Sequence, residues 1–300
     1  MSSQLSVIIV NYRAGELLRA SLVALRAQLP GGSEVIVVDN DPSDDGSDGL
    51  EDVLPGTYVI RNSLNAGYGR ASNQALRIAT GDRVLFLNPD AIIQPGAIAT
   101  ASQFLDAHPD VGILGARVLL PDGKLDPAAR RSFKTPGSYL YKAIGLSRLF
   151  PRNARFGRYY LSYLDPTALT DIDATVGAFM FARRTAIEGV GGFDERFFMY
   201  CEDEDLCWRV KMAGWRVVYH PGVVVRHHKG TSTRQRRARM VFHFHRSLFL
   251  YHRKNVAPRY PALVNVGIYA GILASLALKL PFTVVRSVLA GRGPLRGRAS

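Results

Sequence analysis

The sequence predicts an α/β protein with a mostly parallel central sheet and helices on both faces. Apolar, β-branched runs recur at LSVIIV (5–10), EVIVVD (34–39), TYVI (57–60) and RVLFLN (83–88). Helical patterns lie between them over 15–28 and 70–79. Each of three runs ends in a polar residue or turn. Strands covered on both faces read as unbroken apolar runs, and parallel neighbours require crossovers.

Taken in order, the first run ends at Asn11, and the helix after it carries Leu17, Leu18, Leu22 and Leu25 on one face. The second ends at Asp39 and opens the turn-rich loop DPSDDGSDG. Gly67 and Gly69 introduce the helix after the third, and Pro89 stops the fourth. Ligands of such sheets bind beyond the carboxyl ends of the strands. Asn11, Asp39 and the Asn88-Pro89-Asp90 turn therefore converge on one rim. Further on, Glu202 to Asp205 open a short helix that runs to Ala213 and stops at Gly214. A strand pair, WRVVYH then GVVVR, leads to His227-His228-Lys229-Gly230-Thr231-Ser232.

Composition narrows the function classes. With 300 residues, 47% hydrophobic and 21% charged, the chain has ample material for a core. It is no disordered tail, collagen-like repeat or multi-span transporter. Two cysteines, Cys201 and Cys207, cannot make a disulfide framework or a four-cysteine zinc site, and a reducing compartment follows. The N-terminal MSSQLSVIIVNYR lacks the basic region and cleavage site of a secretory signal.

Charge is unevenly placed. Residues 206–300 hold 18 Lys/Arg and no Asp or Glu. A second acid-free stretch, Pro127 to Leu164, interleaves eight bases with Tyr, Leu and Phe. Such mixtures suit a lipid headgroup layer, where stems and rings sink while charges stay wet. Nucleic acid is the competing polyanion. The membrane reading is preferred because ALVNVGIYAGILASLALKLPFTVV (262–285) follows, with Lys279 its single charge and basic flanks. Lys279 and Pro281 interrupt that run, so it is expected to lie in the interface rather than to span. Gly267, Gly271 and Ser275 recur every four residues, a spacing that permits a homodimer.

Two common phosphate cradles are absent: neither G-x-G-x-x-G after the first strand nor G-x-x-x-x-G-K-[ST] occurs. A carboxylate-held Mg²⁺ or Mn²⁺ can neutralise a diphosphate instead, and Asp90 can supply the carboxylate. His227 is a second candidate ligand. Beside Phe197, Phe198, Met199 and Tyr200, mutual repulsion and apolar walls should raise at least one carboxyl of the Glu202–Asp205 cluster, as a general base requires.

Five landmarks in order, VIIVNY (7–12), VVDNDPSDDGSDG (37–49), NAGYGRASNQAL (65–76), LFLNPDA (85–91) and FDERFFMYCEDEDLCWR (193–209), followed by the HHKGTS loop, resemble the inverting glycosyltransferases of family 2. Within that family the chain is most similar to rhamnosyltransferase-like enzymes of bacterial polysaccharide synthesis. FHFHRSLFLYHRKN (242–255) resembles their C-terminal helix. The resemblance implies a GT-A fold, Rossmann-like, over residues 1–235. Its nucleotide half would be 1–125 and its acceptor half 126–235, with 236–300 a helical membrane-association region. It assigns Asn11, Asp39, Asn65, Gly67, Asn73 and Asn88 to the donor, and Asp90 and His227 to the metal. Asn88 stands where the family's D-x-D motif begins with aspartate. Asp203 matches the catalytic base, with Glu202 beside it, although Glu204-Asp205 repeats the same pair. Arg130, Arg131, Trp208 and Arg234 are expected near the acceptor or lipid.

The implied reaction moves a sugar, rhamnose from dTDP-rhamnose as the leading choice, onto a polyprenyl-diphosphate-linked saccharide with inversion. It would occur on the anionic cytoplasmic face of the plasma membrane. One alternative is a family 2 enzyme that charges polyprenyl phosphate or acts processively, but no Q-x-x-R-W signature is present. The remote alternative, a non-enzymatic basic scaffold for membrane or nucleic acid, leaves the acidic cluster without a purpose.

Overall fold

The computed structural model describes residues 4–41, 43, 46–228 and 237–291. The four runs form strands β1 (Leu5–Asn11), β2 (Glu34–Asp39), β3 (Thr57–Arg61) and β4 (Arg83–Leu87). All four are parallel, in the order β3-β2-β1-β4. Every residue of β1 and β4 is buried, which is why their sequences do not alternate. Between them run helices α1 (Gly15–Arg26), α2 (Leu50–Val53) and α3 (Tyr68–Ile78). Helix α1 buries Leu18, Leu22 and Leu25, one face at helical spacing.

Beyond β4 come β5 (Ala91–Ile93), α4 (Ala97–Ala107) and β6 (Val111–Leu119). A long excursion carries α5 (Pro136–Ala143) and α6 (Leu146–Leu149). The chain returns through β7 (Thr170–Asp171), β8 (Phe179–Arg183), α7 (Arg184–Glu188), α8 (Glu202–Met212) and β9 (Arg216–His227). The complete order is β3-β2-β1-β4-β8-β6-β9-β5, with β7 on β9. The sheet is parallel where the apolar runs place its strands and mixed beyond them, because β8 enters antiparallel to both β4 and β6.

The expected strand pair at 215–226 is a single strand. Strand β9 pairs with β6 as far as Ala116↔His220 and resumes at Arg117↔Val224. Residues 221–223 form a bulge between. Pro221 offers no ladder donor, so a bulge absorbs it where a hairpin turn was expected.

Helices α9 (Arg237–Tyr251) and α10 (Ala262–Gly291) close the described chain. A second small core of Phe197, Cys201, Trp208, Tyr251 and Val256 fastens the end of α9 to α8. Helix α10 lies on α9 through one face: Asn265 bonds His252, Tyr269 meets Phe249, and Ser275 bonds His245. The interruption foreseen at Lys279 and Pro281 is not a break, since the helix continues through both. Ala262–Val284 is long and apolar enough to cross a membrane, and little of it is buried. Among the described residues nothing lies within 4 Å of a Cβ built at Gly267 or Gly271, whereas Ser275, the third residue of the stripe, meets His245.

Candidate active site

The carboxyl ends of β1, β2 and β4 form the floor of the site. Asn11 and Asp39 are register partners, and Asn11 Nδ2 donates to Asp39 Oδ1 at 3.3 Å. The other Asp39 oxygen accepts from Ser47, and Asp41 N donates to Oδ1 at 3.2 Å. Asp39 thus fixes the start of its loop, with Asn11 as its brace from the neighbouring strand. Asn40 Nδ2 reaches the Gly67 carbonyl, and Asn65 Oδ1 accepts from Gly67 N at 2.9 Å. Gly67 sits at φ +83, and a Cβ there would lie 2.5 Å from the Phe198 carbonyl. Only glycine lets α3 start this close to the 193–201 segment.

The next group is made by sheet pairing. Ala91 of β5 is the register partner of His227 at the end of β9, which brings Asp90 beside the imidazole. His227 Nε2 is 3.1 Å from Asp90 Oδ1 and 3.3 Å from the Asn88 amide. Asp126, fully buried, approaches His227 Nδ1 at 3.9 Å. Burial alone would lower the His227 pKa. The nearby Asp126 carboxylate and the Asp90 carboxylate, which faces Nε2, outweigh it and raise it to about 9. Among the described residues no three of His, Cys, Asp and Glu form a metal-binding group. The pair still fits a divalent cation: one hard oxygen and one imidazole nitrogen converge, with the Asn88 amide as a neutral neighbour. Asp90 and His227 would hold it. Sequence reasoning missed Asp126. Its visible signal, an Asp before Pro127, marks the cap it also provides to Ala128 N.

Helix α8 begins after two consecutive residues in the left-handed region, Tyr200 (φ +69) and Cys201 (φ +65). Each costs on the order of 1 kcal/mol. This turn brings four acids into one helical turn, where each meets a different environment. Asp203 accepts from Arg131 Nη2 at 2.7 Å, from Gly177 N at 3.2 Å and from Glu204 N at 2.7 Å. Glu204, fully buried, is paired with Lys134 and accepts from Tyr159 at 3.1 Å. Asp205, also fully buried, receives Arg209 at 2.8 Å, Lys254 at 2.7 Å and Asn255 at 2.9 Å.

Glu202 differs from these three. The residue is 7% exposed, and Oε2 has no hydrogen-bond partner among the described residues. Burial, with the Asp203 charge adding, pushes it up to about 8. The expectation that one acid of the cluster would be raised holds, and Glu202 is that acid.

One cleft of about 450 Å³ has Asn65, Gly67, Asn88, Asp90, Arg131, Glu202, Asp203 and His227 in its walls. Residues far apart in sequence thus share one cleft, while Asn11 and Asp39 are not in its walls. Other candidates sit elsewhere. Asn73 is turned away, bonding Phe193 and Glu195. Arg130 is buried, with its guanidinium on the carbonyls of Asp165 and Leu164. Trp208 belongs to the small core beneath α9, under Arg259. These three support the wall and do not line it. Arg234 lies outside the described residues.

This arrangement, a nucleotide-type parallel half joined through β8 to a mixed half that carries α8, is the GT-A glycosyltransferase fold. The family pattern described as "Glycosyltransferase like family 2" matches residues 3–241. The chain belongs to this family. It is 30% identical over 300 residues to the N-acetylglucosaminyl-diphospho-decaprenol L-rhamnosyltransferase of Mycobacterium tuberculosis, covering 96% of this chain and 95% of that protein. The rhamnosyltransferase WbbL of Escherichia coli K12 is 28% identical over 185 residues, 58% of this chain and 62% of its own. Among solved structures, a mannosyltransferase from Pyrobaculum calidifontis, in complex with GDP-Man and Mn²⁺, aligns over 98% of this chain and 77% of its own. The TM-score is 0.57 at 19% identity. Residues 1–349 of S. aureus TarS, with UDP-GlcNAc, align over 91% and 72% at a TM-score of 0.57 and 18% identity.

Proposed function

We propose that this chain transfers rhamnose from dTDP-rhamnose to a saccharide carried on a polyprenyl diphosphate, with inversion, at the cytoplasmic membrane face. One observation carries the chemistry: Asp203 shares a single cleft with the Asp90–His227 pair. The rhamnosyltransferase relatives support the sugar and the lipid-linked acceptor.

In this reading Asn65, Gly67 and Asn88 line the donor side, while Asn11 and Asp39 shape its floor. Asp90 and His227 would hold Mg²⁺ or Mn²⁺, which supplies positive charge for the departing diphosphate. Asp203, oriented by Arg131 and Gly177 N, takes the proton of the acceptor hydroxyl. That oxygen bonds to the anomeric carbon as the carbon–phosphate-oxygen bond breaks, and the nucleoside diphosphate leaves. One displacement inverts the centre without a covalent intermediate. Glu202, protonated below about pH 8, donates a hydrogen bond to a sugar hydroxyl. Arg148 and Arg152, exposed in the 127–164 stretch, and the α9–α10 hairpin hold the protein against an anionic bilayer.

The test is transfer by the full chain in detergent, with Mn²⁺ and N-acetylglucosaminyl-diphospho-prenol, from dTDP-rhamnose and from UDP- and GDP-sugars. Mass spectrometry of the lipid should show one added deoxyhexose, from dTDP-rhamnose alone. Use of another donor, or transfer to prenyl phosphate alone, overturns the assignment.

A further inference from the structure

A second cavity of about 410 Å³ lies beside the cleft, under α5, with Ser132, Ser138, Tyr141, Arg155, Arg158 and Tyr159 among its walls. Tyr159 is common to the walls of both spaces. The cavity is basic in an unusual way. Arg155 Nε donates to the Tyr141 hydroxyl at 2.7 Å, and neither Arg155 nor Arg158 has a carboxylate within ion-pair distance among the described residues. No Asp or Glu occurs anywhere from 127 to 164, so nothing local can neutralise them. The bases nominated from sequence are already committed: Arg131 to Asp203 and Arg130 to two carbonyls. Arg155 and Arg158, both exposed, are the guanidiniums that line this cavity.

Next to them the surface becomes apolar. Leu140 and Ile144 at α5, and Leu149 and Phe150 at α6, are 47–69% exposed. A concave dibasic site, flanked on one side by exposed aliphatic residues and on the other by the catalytic cleft, matches an amphiphile with an anionic junction between sugar and hydrocarbon. We propose that Arg155 and Arg158 bind the diphosphate of an isoprenoid-linked acceptor. Its sugar then passes Tyr159 toward Asp203 while its chain leaves over Leu140, Ile144, Leu149 and Phe150. Guanidinium forks suit such a group because they pair with phosphate oxygens in two places.

This inference rests on the lipid-linked acceptor proposed above, and the experiment separates the two. Arg158→Gln changes an exposed side chain that makes no ion pair among the described residues, so folding should be intact. Arg155→Gln/Arg158→Gln removes both charges. KM and kcat are measured with N-acetylglucosaminyl-diphospho-prenol and with octyl N-acetylglucosaminide, which has an alkyl chain but no diphosphate. The KM for the diphosphate acceptor should rise about tenfold or more in the double variant, a loss typical of charge-assisted contacts. The KM for dTDP-rhamnose and for the octyl glycoside should stay within twofold. An unchanged KM for the diphosphate acceptor overturns the inference. So does an equal rise for both acceptors, or a loss confined to binding of phosphatidylglycerol vesicles. If the wild type transfers to neither acceptor, the proposed function fails first.

Discussion

Arg131 Nη2 lies 2.7 Å from Asp203 Oδ2, with both side chains about nine-tenths buried. The contact ties the excursion between β6 and β7 to the first turn of α8. It also neutralises a carboxylate that would otherwise be desolvated alone. Asp203→Asn should abolish transfer and leave donor binding within a few-fold of wild type. Arg131→Gln strands Asp203 without its partner and should cost about 3 kcal/mol of stability. The double variant should lose less than the sum of the singles, because the second change removes the charge the first left exposed. Denaturant unfolding of all three, beside single-turnover rates, checks this. Turnover near wild type in Asp203→Asn moves the base to Glu202.

Glu202 makes a prediction through pH. Its pKa is raised in the folded chain, from 4.5 to about 8. The folded state therefore holds a proton that the unfolded state has released. The cost is absent below about pH 4.5, grows as pH rises, and is complete above about pH 8. Glu202→Gln removes it. The variant should match wild type near pH 4.5 and exceed it at pH 9, by on the order of 5 kcal/mol. Thermal melts across pH 4.5 to 9 measure the divergence. Parallel curves would show Glu202 to be ordinarily ionised. A gain in stability with a loss of turnover is the trade-off a strained active-site carboxyl produces.

Asp90 and His227 predict cation dependence. EDTA should stop turnover, and Mn²⁺ should restore it. Asp90→Ala and His227→Ala should each lower Mn²⁺ affinity at least tenfold, read by titration of the protein without donor. His227 ends β9 and Asp90 immediately precedes β5, and their contact is buried, so each substitution should also lower the melting temperature. Turnover that survives chelation removes the cation role from both residues.

Legibility in the sequence followed how local the cause was. Strands β1, β2 and β4 were readable because each buries both faces and shows an unbroken apolar run, and β3, although Tyr58 is exposed, because TYVI follows the same β-branched pattern. The single β9 was not, because Pro221-Gly222 spells a turn and its bulge is set by pairing with β6. The acidic cluster announced a site but not its assignments. Those depend on Arg131, Lys134 and Lys254, which approach from distant segments. Arg130 and Arg131 illustrate the limit. Neighbours in extended backbone point to opposite faces, so one reaches the cleft wall and the other buries itself against Tyr219. Nothing in the pair RR says which.

The C-terminal hairpin offers the last prediction. Its first half is part of the core: Tyr251 and Val256 are buried on Trp208, and Lys254 and Asn255 hold Asp205. Its second half is different. Leu263, Val266, Leu273, Leu278 and Phe282 are 59–84% exposed, an apolar surface of a kind that soluble chains do not leave in water. Cutting after residue 261 should therefore release the protein from membranes and leave a folded, active core toward the octyl glycoside. Its melting temperature should fall by a few degrees, since His245, His252 and Phe249 lose their contacts. Cutting after residue 236 should instead unfold α8, because Asp205 would keep only Arg209 of its three partners. Flotation on anionic vesicles and melting curves of the two truncations decide the matter. Unchanged flotation of the shorter cut would place the membrane contact on α5 and α6 alone.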